Sequence, residues 1–209
     1  MKNEKKIGIY GGTFSPVHNG HIGAALSFLR KEKLDKLYII PTGVPPHKDI
    51  YPEDNSENRY KMLEIAFSSY PEYEKKIFIS DFEITRPGKS YTYNTLMHFM
   101  EESDRLCLLC GTDMFLTLDT WYRAEDIFKM ADIICVRREN DRDTGFEITK
   151  KAEEYIHDYS AVIRMLELEP FEISSHRIRE MICTGNDPQG YLPRDVYDYI
   201  KERRLYLEK

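Results

Sequence analysis

The sequence has only 4 cysteines, no long apolar run and no excess of positive charge, and each of these features argues against one class of site or protein. Its 4 cysteines include Cys107 and Cys110 at a metal-binding spacing, but both lie in one apolar run without a second pair or a nearby histidine. We therefore interpret the thiols as buried and reduced. No apolar run is long enough to span a bilayer. The net charge of −6 argues against a nucleic-acid partner, because such proteins present a basic face.

Targeting signals, internal repeats and low-complexity segments are also missing. Segment 1–6 is charged and continues directly into an apolar run, so it lacks the features of a signal peptide, and we expect a cytoplasmic protein. The 209 residues, 41% of them hydrophobic, are enough for one well-filled core, so we predict a single domain over residues 1–209.

Apolar runs alternate with segments of helical spacing along most of the chain. The runs predict strands at 7–10, 36–40, 77–79, 105–110 and 132–137, with a weaker candidate at 161–168. Helical spacing predicts helices at 58–70, 93–101, 146–157, 175–182 and 192–204, together with one that begins at about His21 and one that ends at Met130. Ser90 or Thr92 is expected to cap the helix at 93–101. This alternation predicts the α/β class, with a Rossmann-like, doubly wound parallel sheet and helices on both faces. We place the main sheet in 1–138, an uncertain segment in 139–170, and the C-terminal motif and helices in 171–209.

A glycine-rich stretch with two histidines follows the first strand. It begins with Gly11, Gly12, Thr13 and Phe14 and ends with His18-x-Gly-His21. We expect the glycine pair to break the strand and the loop to enter a helix whose first turn carries His21. The first amides of a helix favour anions, and two histidines three positions apart can point to one place. The stretch therefore predicts a phosphate site, whereas a lone glycine pair or a lone histidine would indicate only a turn or a surface residue.

Three further polar segments fall where strands end or helices begin. Pro45-Pro46-His47-Lys48 is a stiff loop that presents Lys48 at a fixed position, or else a connector with a solvated lysine. Gly111-Thr112-Asp113 follows a strand at the edge where open α/β sheets bind ligands. Ser174 or Ser175 caps a helix whose early turn carries Arg179, which indicates either a bound anion or a capped surface helix with a solvated arginine.

Taken together, these segments resemble a known family. Gly-Gly-Thr-Phe followed by His-x-Gly-His is similar to the signature of the nucleotidyltransferase superfamily. The Pro-Pro-His-Lys segment, Ser90-Tyr91-Thr92, Thr120-Trp121-Tyr122 and Ile173-Ser174-Ser175 with Ile178-Arg179 look like the bacterial nicotinate-nucleotide adenylyltransferases in order and spacing. Two positions depart from the pattern, with Ser15 where the superfamily usually has Asp and His176 where the family usually has Thr.

The resemblance implies that ATP and nicotinate mononucleotide react to give nicotinate adenine dinucleotide and pyrophosphate. It implies that His18 and His21 stabilise charge at the α-phosphorus as the catalytic residues. It implies three groups of binding residues: ATP contacts at Gly11, Gly12, Thr13, Phe14, Lys48, Gly111, Asp113, Ser174, Ser175 and Arg179; pyridine-ring contacts at Thr92, Trp121 and Tyr122; and Arg137 at the mononucleotide phosphate. Mg²⁺ is expected to arrive with ATP and to have no protein ligand.

Two other functions remain open at this point. One is the same transfer with nicotinamide mononucleotide or phosphopantetheine as the acceptor. The other is a nucleotide-binding regulator without turnover, which the departures at Ser15 and His176 favour and the four residues His18, His21, Lys48 and Arg179 oppose. The sequence predicts neither a membrane partner nor an oligomeric state.

Overall fold

The computed structural model describes residues 5–44, 55–103, 105–138, 145–168 and 173–207. Within these ranges all strands form one parallel sheet with the spatial order β3-β2-β1-β4-β5-β6. The strands are β1 Ile7–Gly12, β2 Lys36–Pro41, β3 Ile77–Ile79, β4 Leu106–Gly111, β5 Ala131–Arg138 and β6 Ile163–Leu168. This is the order of a doubly wound Rossmann-like sheet, so the predicted fold class is confirmed.

Helices cover both faces of the sheet. The α-helices of the described residues are α1 Asn19–Lys31, α2 Ser56–Ser68, α3 Phe82–Thr85, α4 Thr92–Phe99, α5 Thr112–Leu116, α6 Ala124–Met130, α7 Gly145–Tyr159, α8 Ser175–Cys183 and α9 Arg194–Arg203. One apolar cluster joins the sheet to α1, α2, α8 and α9, and a second joins it to α4, α5, α6 and α7. The chain therefore folds as three layers with one core on each side of the sheet. No helix in the described ranges is long and apolar enough to cross a membrane.

The first strand does not stop where the glycine pair predicted. Gly11 and Gly12 continue β1 and pair in register with Ile40 and Pro41 of β2. Glycine tolerates the extended conformation as well as the turn, so the pair alone does not fix the end of a strand. The chain turns at Phe14 instead, where φ is +52°.

The uncertain segment contributes a helix and a strand to the main body. The weak candidate at 161–168 is confirmed as β6, so the sheet extends beyond residue 138, and the predicted helix at 146–157 is α7. The strand signal was weak because β6 is an edge strand in which Arg164 and Glu167 interrupt the apolar run. The predicted loop at 140–144 lies outside the described residues.

Two local details differ from the sequence predictions. Neither Ser90 nor Thr92 caps α4, because Tyr91 precedes the helix without a side-chain cap bond. Ser90 Oγ instead accepts a hydrogen bond from the Gly43 amide at 3.1 Å. The short helix α3 was not predicted, since four residues give no readable periodicity. The cysteine prediction is confirmed, because Cys107, Cys110 and Cys135 are buried and all four thiols are free.

The sheet order creates a switch point between β1 and β4. Successive strands run outward from β1 towards β3 on one side and from β4 towards β6 on the other. Ligands of open α/β sheets bind outside the carboxyl ends of the strands at such a point. Here those two ends carry Gly11-Gly12 and Gly111-Thr112-Asp113.

Candidate active site

The turn after β1 is shaped by the ring of Phe14. This side chain is 2% exposed and its backbone is left-handed, which is uncommon for a residue other than glycine. A Cβ on Gly12 would lie 2.9 Å from the Phe14 ring, so glycine is required there by a contact within the protein. A Cβ on Gly11 would meet no protein atom within 4 Å. Of the two glycines, Gly11 is therefore the one that leaves open space for a ligand.

The two histidines of the motif lie side by side at the start of α1. His18 is the N-cap, and its backbone N–H donates to Nδ1 of His21 at 3.3 Å. The two rings stack with centroids 3.7 Å apart, and the Phe14 ring meets His21 edge-on at 5.1 Å. The sequence prediction that the two histidines meet is confirmed.

This arrangement determines what His21 can offer. Because Nδ1 accepts a hydrogen bond, the proton of a neutral His21 ring lies on Nε2, which remains a donor. The ring belongs to the first turn of a 13-residue helix, the end at which the helix dipole is positive. The pair can therefore hydrogen-bond the oxygens of a phosphoryl group.

The last motif docks on the same turn. Ser174 caps α8 by accepting a hydrogen bond from the Arg177 amide at 3.2 Å, as predicted. Ser175 Oγ donates to the Pro16 carbonyl oxygen at 2.9 Å, and Arg179 donates to the Ser15 carbonyl oxygen at 2.6 Å. The start of α8 is thus fixed against the loop that leads into α1, and Arg179 is not a solvated surface residue.

The two departures from the family pattern occupy different surroundings. Ser15 is 7% exposed and lies inside the turn, where its backbone carbonyl receives Arg179. His176 is exposed and its Nε2 lies 3.3 Å from Oε1 of Glu180. The His176 ring therefore pairs along its own helix.

A buried arginine joins two of the loops, and the sequence analysis missed it. Arg59 of α2 is 0% exposed and donates to the Thr13 carbonyl oxygen at 3.0 Å and to that of Gly43 at 3.4 Å. The loop after β1 is thereby tied to the loop after β2. The available signal was the helical stripe of Arg59 with Met62, Leu63 and Ala66, in which a charged residue shares the apolar face.

Glu83 of α3 lies beneath the second loop and was also missed. Its carboxylate accepts a hydrogen bond from Thr95 Oγ1 at 2.6 Å. A Cβ on Gly43 would lie 2.1 Å from the Glu83 carbonyl oxygen, so the loop passes directly over α3. Burial raises the pKa of the Glu83 carboxyl, against the lowering effect of its hydrogen bonds and of nearby Arg86 and Arg59.

The end of β4 is open in the same way as the end of β1. A Cβ on Gly111 would meet no protein atom within 4 Å. Thr112 Oγ1 donates to the Val136 carbonyl oxygen at 3.2 Å, which fixes this turn to β5, and Asp113 is exposed in the short helix α5.

The residues expected around the pyridine ring also come together. Tyr122 is 52% exposed, and its ring lies 4.8 Å from that of Tyr91, the residue before Thr92. Trp121 is half-buried against the apolar cluster that includes α4 and α6. The start of α4 and the segment before α6 therefore form one partly open aromatic wall.

For two predicted residues the structure gives little or no position. Lys48 lies outside the described residues together with the rest of the Pro-Pro-His-Lys segment. Arg137 lies near the carboxyl end of β5, next to β4 in the sheet.

Comparisons with known proteins agree with this geometry. The family model described as cytidylyltransferase-like matches residues 9–181. The chain is 36% identical over 208 residues to the probable nicotinate-nucleotide adenylyltransferase of Clostridium botulinum strain Eklund 17B, covering 98% of this chain and 100% of that protein. It is 35% identical over 205 residues to the protein of the same name from Clostridium tetani, covering 97% and 99%. Among solved structures, the Plasmodium falciparum nicotinic acid mononucleotide adenylyltransferase complexed with NaAD matches with a TM-score of 0.77 at 21% identity over 97% of both chains.

Proposed function

The chain belongs to the cytidylyltransferase-like family and, within it, to the nicotinate-nucleotide adenylyltransferases, and on this premise we propose that it transfers the adenylyl group of ATP to nicotinate mononucleotide. The products are nicotinate adenine dinucleotide and pyrophosphate, so the enzyme acts in NAD synthesis. The observation that carries the proposal is the stacked pair of His18 and His21 at the start of α1, with α8 docked on the same turn.

The reaction needs no nucleophilic side chain. The phosphate of the mononucleotide attacks the α-phosphorus of ATP in line with the departing pyrophosphate, and the protein contributes positioning and charge stabilisation. We assign His18 and His21 to the oxygens of the transferred phosphoryl group, because the two rings lie together at the start of α1 and the hydrogen bond to Nδ1 of His21 puts the proton of its neutral ring on Nε2. ATP then lies along the open backbone of Gly11 and of Gly111.

The β- and γ-phosphates are assigned to the start of α8. The amides at this end favour anions, and Arg179 brings a positive charge to the turn that carries the histidines. Lys48 is assigned to bridging phosphates on the resemblance alone. Mg²⁺ enters with ATP as part of the substrate. The described residues hold no cluster of three or more His, Cys, Asp or Glu side chains, so the proposal leaves its ligands to phosphate and water.

The acceptor is assigned to the aromatic wall. Trp121 offers a flat surface for a pyridine ring, and the first amides of α4 receive no side-chain cap and can meet a carboxylate. Arg137 is assigned to the mononucleotide phosphate because it lies near the carboxyl end of β5. The proposal includes a cytoplasmic location, where ATP is made and used.

The test is pyrophosphate release from ATP with three acceptors supplied separately: nicotinate mononucleotide, nicotinamide mononucleotide and phosphopantetheine. We expect release with the first acceptor and much less with the others. His21→Ala is the matched control, because it removes the proposed donor from the same protein. Release only with another acceptor would reassign the substrate, and ATP binding without release from any acceptor would leave a nucleotide-binding regulator.

A further inference from the structure

Helix α7 supplies no residue to the proposed active site, yet it is bonded to the segment that carries Trp121. Lys151 Nζ lies 2.8 Å from Oδ2 of Asp119. The Tyr155 hydroxyl shares its hydrogen between the Phe115 carbonyl oxygen at 2.8 Å and Asp119 Oδ1 at 3.1 Å. It also accepts from the Asp119 amide at 3.3 Å. The backbone amide and both carboxylate oxygens of Asp119 are thus bonded to the side chains of Lys151 and Tyr155 on α7.

Tyr155, Lys151 and Asp119 are buried or partly buried, which strengthens the bonds between them. Tyr155 is 1% exposed, and its ring packs on those of Phe115 and Phe128 at 5.3 and 4.8 Å. The side chains of Lys151 and Asp119 are 23% and 27% exposed, so water does not fully screen their attraction. Burial would raise the pKa of Asp119, but the hydrogen bond from the Lys151 ammonium outweighs it and lowers that pKa, so the carboxylate and the ammonium form a charged pair.

Asp119 lies two residues before Trp121. It occupies the 3-10 helix Leu118–Thr120, whose last hydrogen bond runs from the Trp121 amide to the Leu118 carbonyl oxygen at 3.1 Å. Thr120 Oγ1 closes the same turn on the Thr117 carbonyl oxygen at 2.7 Å. Because these bonds and two peptide links connect Asp119 to Trp121, we expect a shift of Asp119 to move Trp121 and Tyr122 as well.

We propose that Lys151 and Tyr155 are positioning residues that act through Asp119 to hold Trp121 and Tyr122 in place for the acceptor. The inference rests on the proposed function, since it assumes that these two aromatic residues contact the mononucleotide. It also gives α7 a role, because the helix holds the aromatic wall in position through Asp119 and supplies none of the proposed ATP contacts. In the described residues, the hydrogen bonds at the turn of Phe14 and at α8 do not involve this network.

The test compares two substitutions on α7 with two matched controls. Lys151→Met and Tyr155→Phe remove the bonds to Asp119. Lys150→Met removes the neighbouring lysine, whose side chain is 67% exposed and lies 3.9 Å from Glu154. Tyr159→Phe removes a hydroxyl one helical turn later on a ring that stacks on Phe128 at 4.6 Å. Lys151→Arg keeps the charge and should retain most of the wild-type behaviour.

We expect the KM for nicotinate mononucleotide to rise about 3- to 10-fold in Lys151→Met and Tyr155→Phe, as for loss of one hydrogen bond that orders a site. The KM for ATP should change less than about twofold, and both controls should match the wild type. Trp121 is the single tryptophan, so its emission in the absence of ligand should shift in the two test variants and not in the controls. The fluorescence measurement does not depend on turnover.

The outcomes separate this inference from the proposed function. If the wild type turns over nicotinate mononucleotide but Lys151→Met behaves like Lys150→Met, the positioning role is wrong. Equal increases of both KM values would also overturn it, because they would indicate general loosening. If Tyr155→Phe does not fold, Lys151→Met decides, since that side chain is less buried than the ring of Tyr155. A wild type inactive towards every acceptor would contradict the proposed function instead.

Discussion

At the scale of single residues, His21 carries the most specific expectation. Its Nδ1 is used by the His18 amide, so Nε2 is the ring atom that the proposed mechanism assigns to the phosphoryl group. We expect His21→Ala to lower kcat roughly 10²–10³-fold, as for loss of one preorganised donor to a developing charge. His18→Ala should act similarly, and the double variant should lose less than the sum, because both rings serve one phosphoryl group. Near-normal turnover of His21→Ala would remove the histidine from the mechanism.

Glu83 gives a prediction about stability and pH. Burial raises its folded pKa above the unfolded value, so the native state binds the proton more tightly, and this contribution to stability is lost as pH rises through the folded pKa. Glutamine keeps an acceptor for Thr95 and does not titrate. The free energy of unfolding of Glu83→Gln minus that of the wild type should therefore increase as pH rises from about 4.3, the pKa expected for an unperturbed glutamate.

Urea unfolding at several pH values measures this difference. The exposed Glu72→Gln serves as the control, since it lies in a surface turn away from the loops. A pH-independent difference for Glu83→Gln would show that the carboxyl is already balanced by its hydrogen bonds and by Arg59 and Arg86.

At the scale of elements, the start of α8 has two roles: Ser174 caps the helix, and this end is proposed to bind the ATP phosphates. A substitution at Ser174 can separate the two. Ser174→Ala should lower the free energy of unfolding by about 1 kcal/mol through loss of the cap. Ser174→Asp should keep the stability, because aspartate caps equally well and favours the helix dipole. If ATP phosphates lie at this end, the added negative charge should raise the KM for ATP.

The control is the cap of another helix, α2, to which no phosphate is assigned. Asn55 caps α2 by accepting from the Asn58 amide at 2.9 Å, so Asn55→Asp likewise puts a carboxylate at a helix cap. An ATP KM that is equally unaffected in Ser174→Asp and Asn55→Asp would place the triphosphate elsewhere.

The elements themselves were largely readable from the sequence, whereas their bonds to one another were not. Uniform apolar runs predicted β2, β3 and β4 closely because buried parallel strands have little polar content. The end of β1 was misjudged because glycine is permissive. Arg59, and the bonds of Asp119 to Tyr155, were not found because each depends on partners distant in sequence, 46 residues for Thr13 and 36 for Tyr155. The histidine pair was found because a short spacing on one helix brings residues together without tertiary information.

At the scale of the whole molecule, the aromatic wall and the start of α4 together predict a preference for nicotinate mononucleotide over nicotinamide mononucleotide. A ring carboxylate accepts from every backbone donor that faces it, whereas an amide presents its own NH₂ to one of them and leaves a donor unpaired. An unpaired buried group costs about 1–3 kcal/mol, so kcat/KM should favour the acid mononucleotide at least about tenfold over the amide. Competition between the two acceptors at fixed ATP measures the ratio, and equal efficiencies would contradict the assignment of the carboxylate to these amides.

The docking of α8 on the turn after β1 has a consequence for synthesis on the ribosome. Arg179 and Ser15 are 164 residues apart, and Ser175 and Pro16 are 159 apart, so the first loop to emerge receives its partners from nearly the last helix. A nascent chain that has completed β6 can form every strand of the sheet, but α8 and α9 do not yet cover their apolar face. On the proposed assignment of the triphosphate to the start of α8, the growing polypeptide is unable to hold it until translation is almost finished, and a chain arrested after β6 would expose that face to chaperones without acquiring affinity for nucleotide.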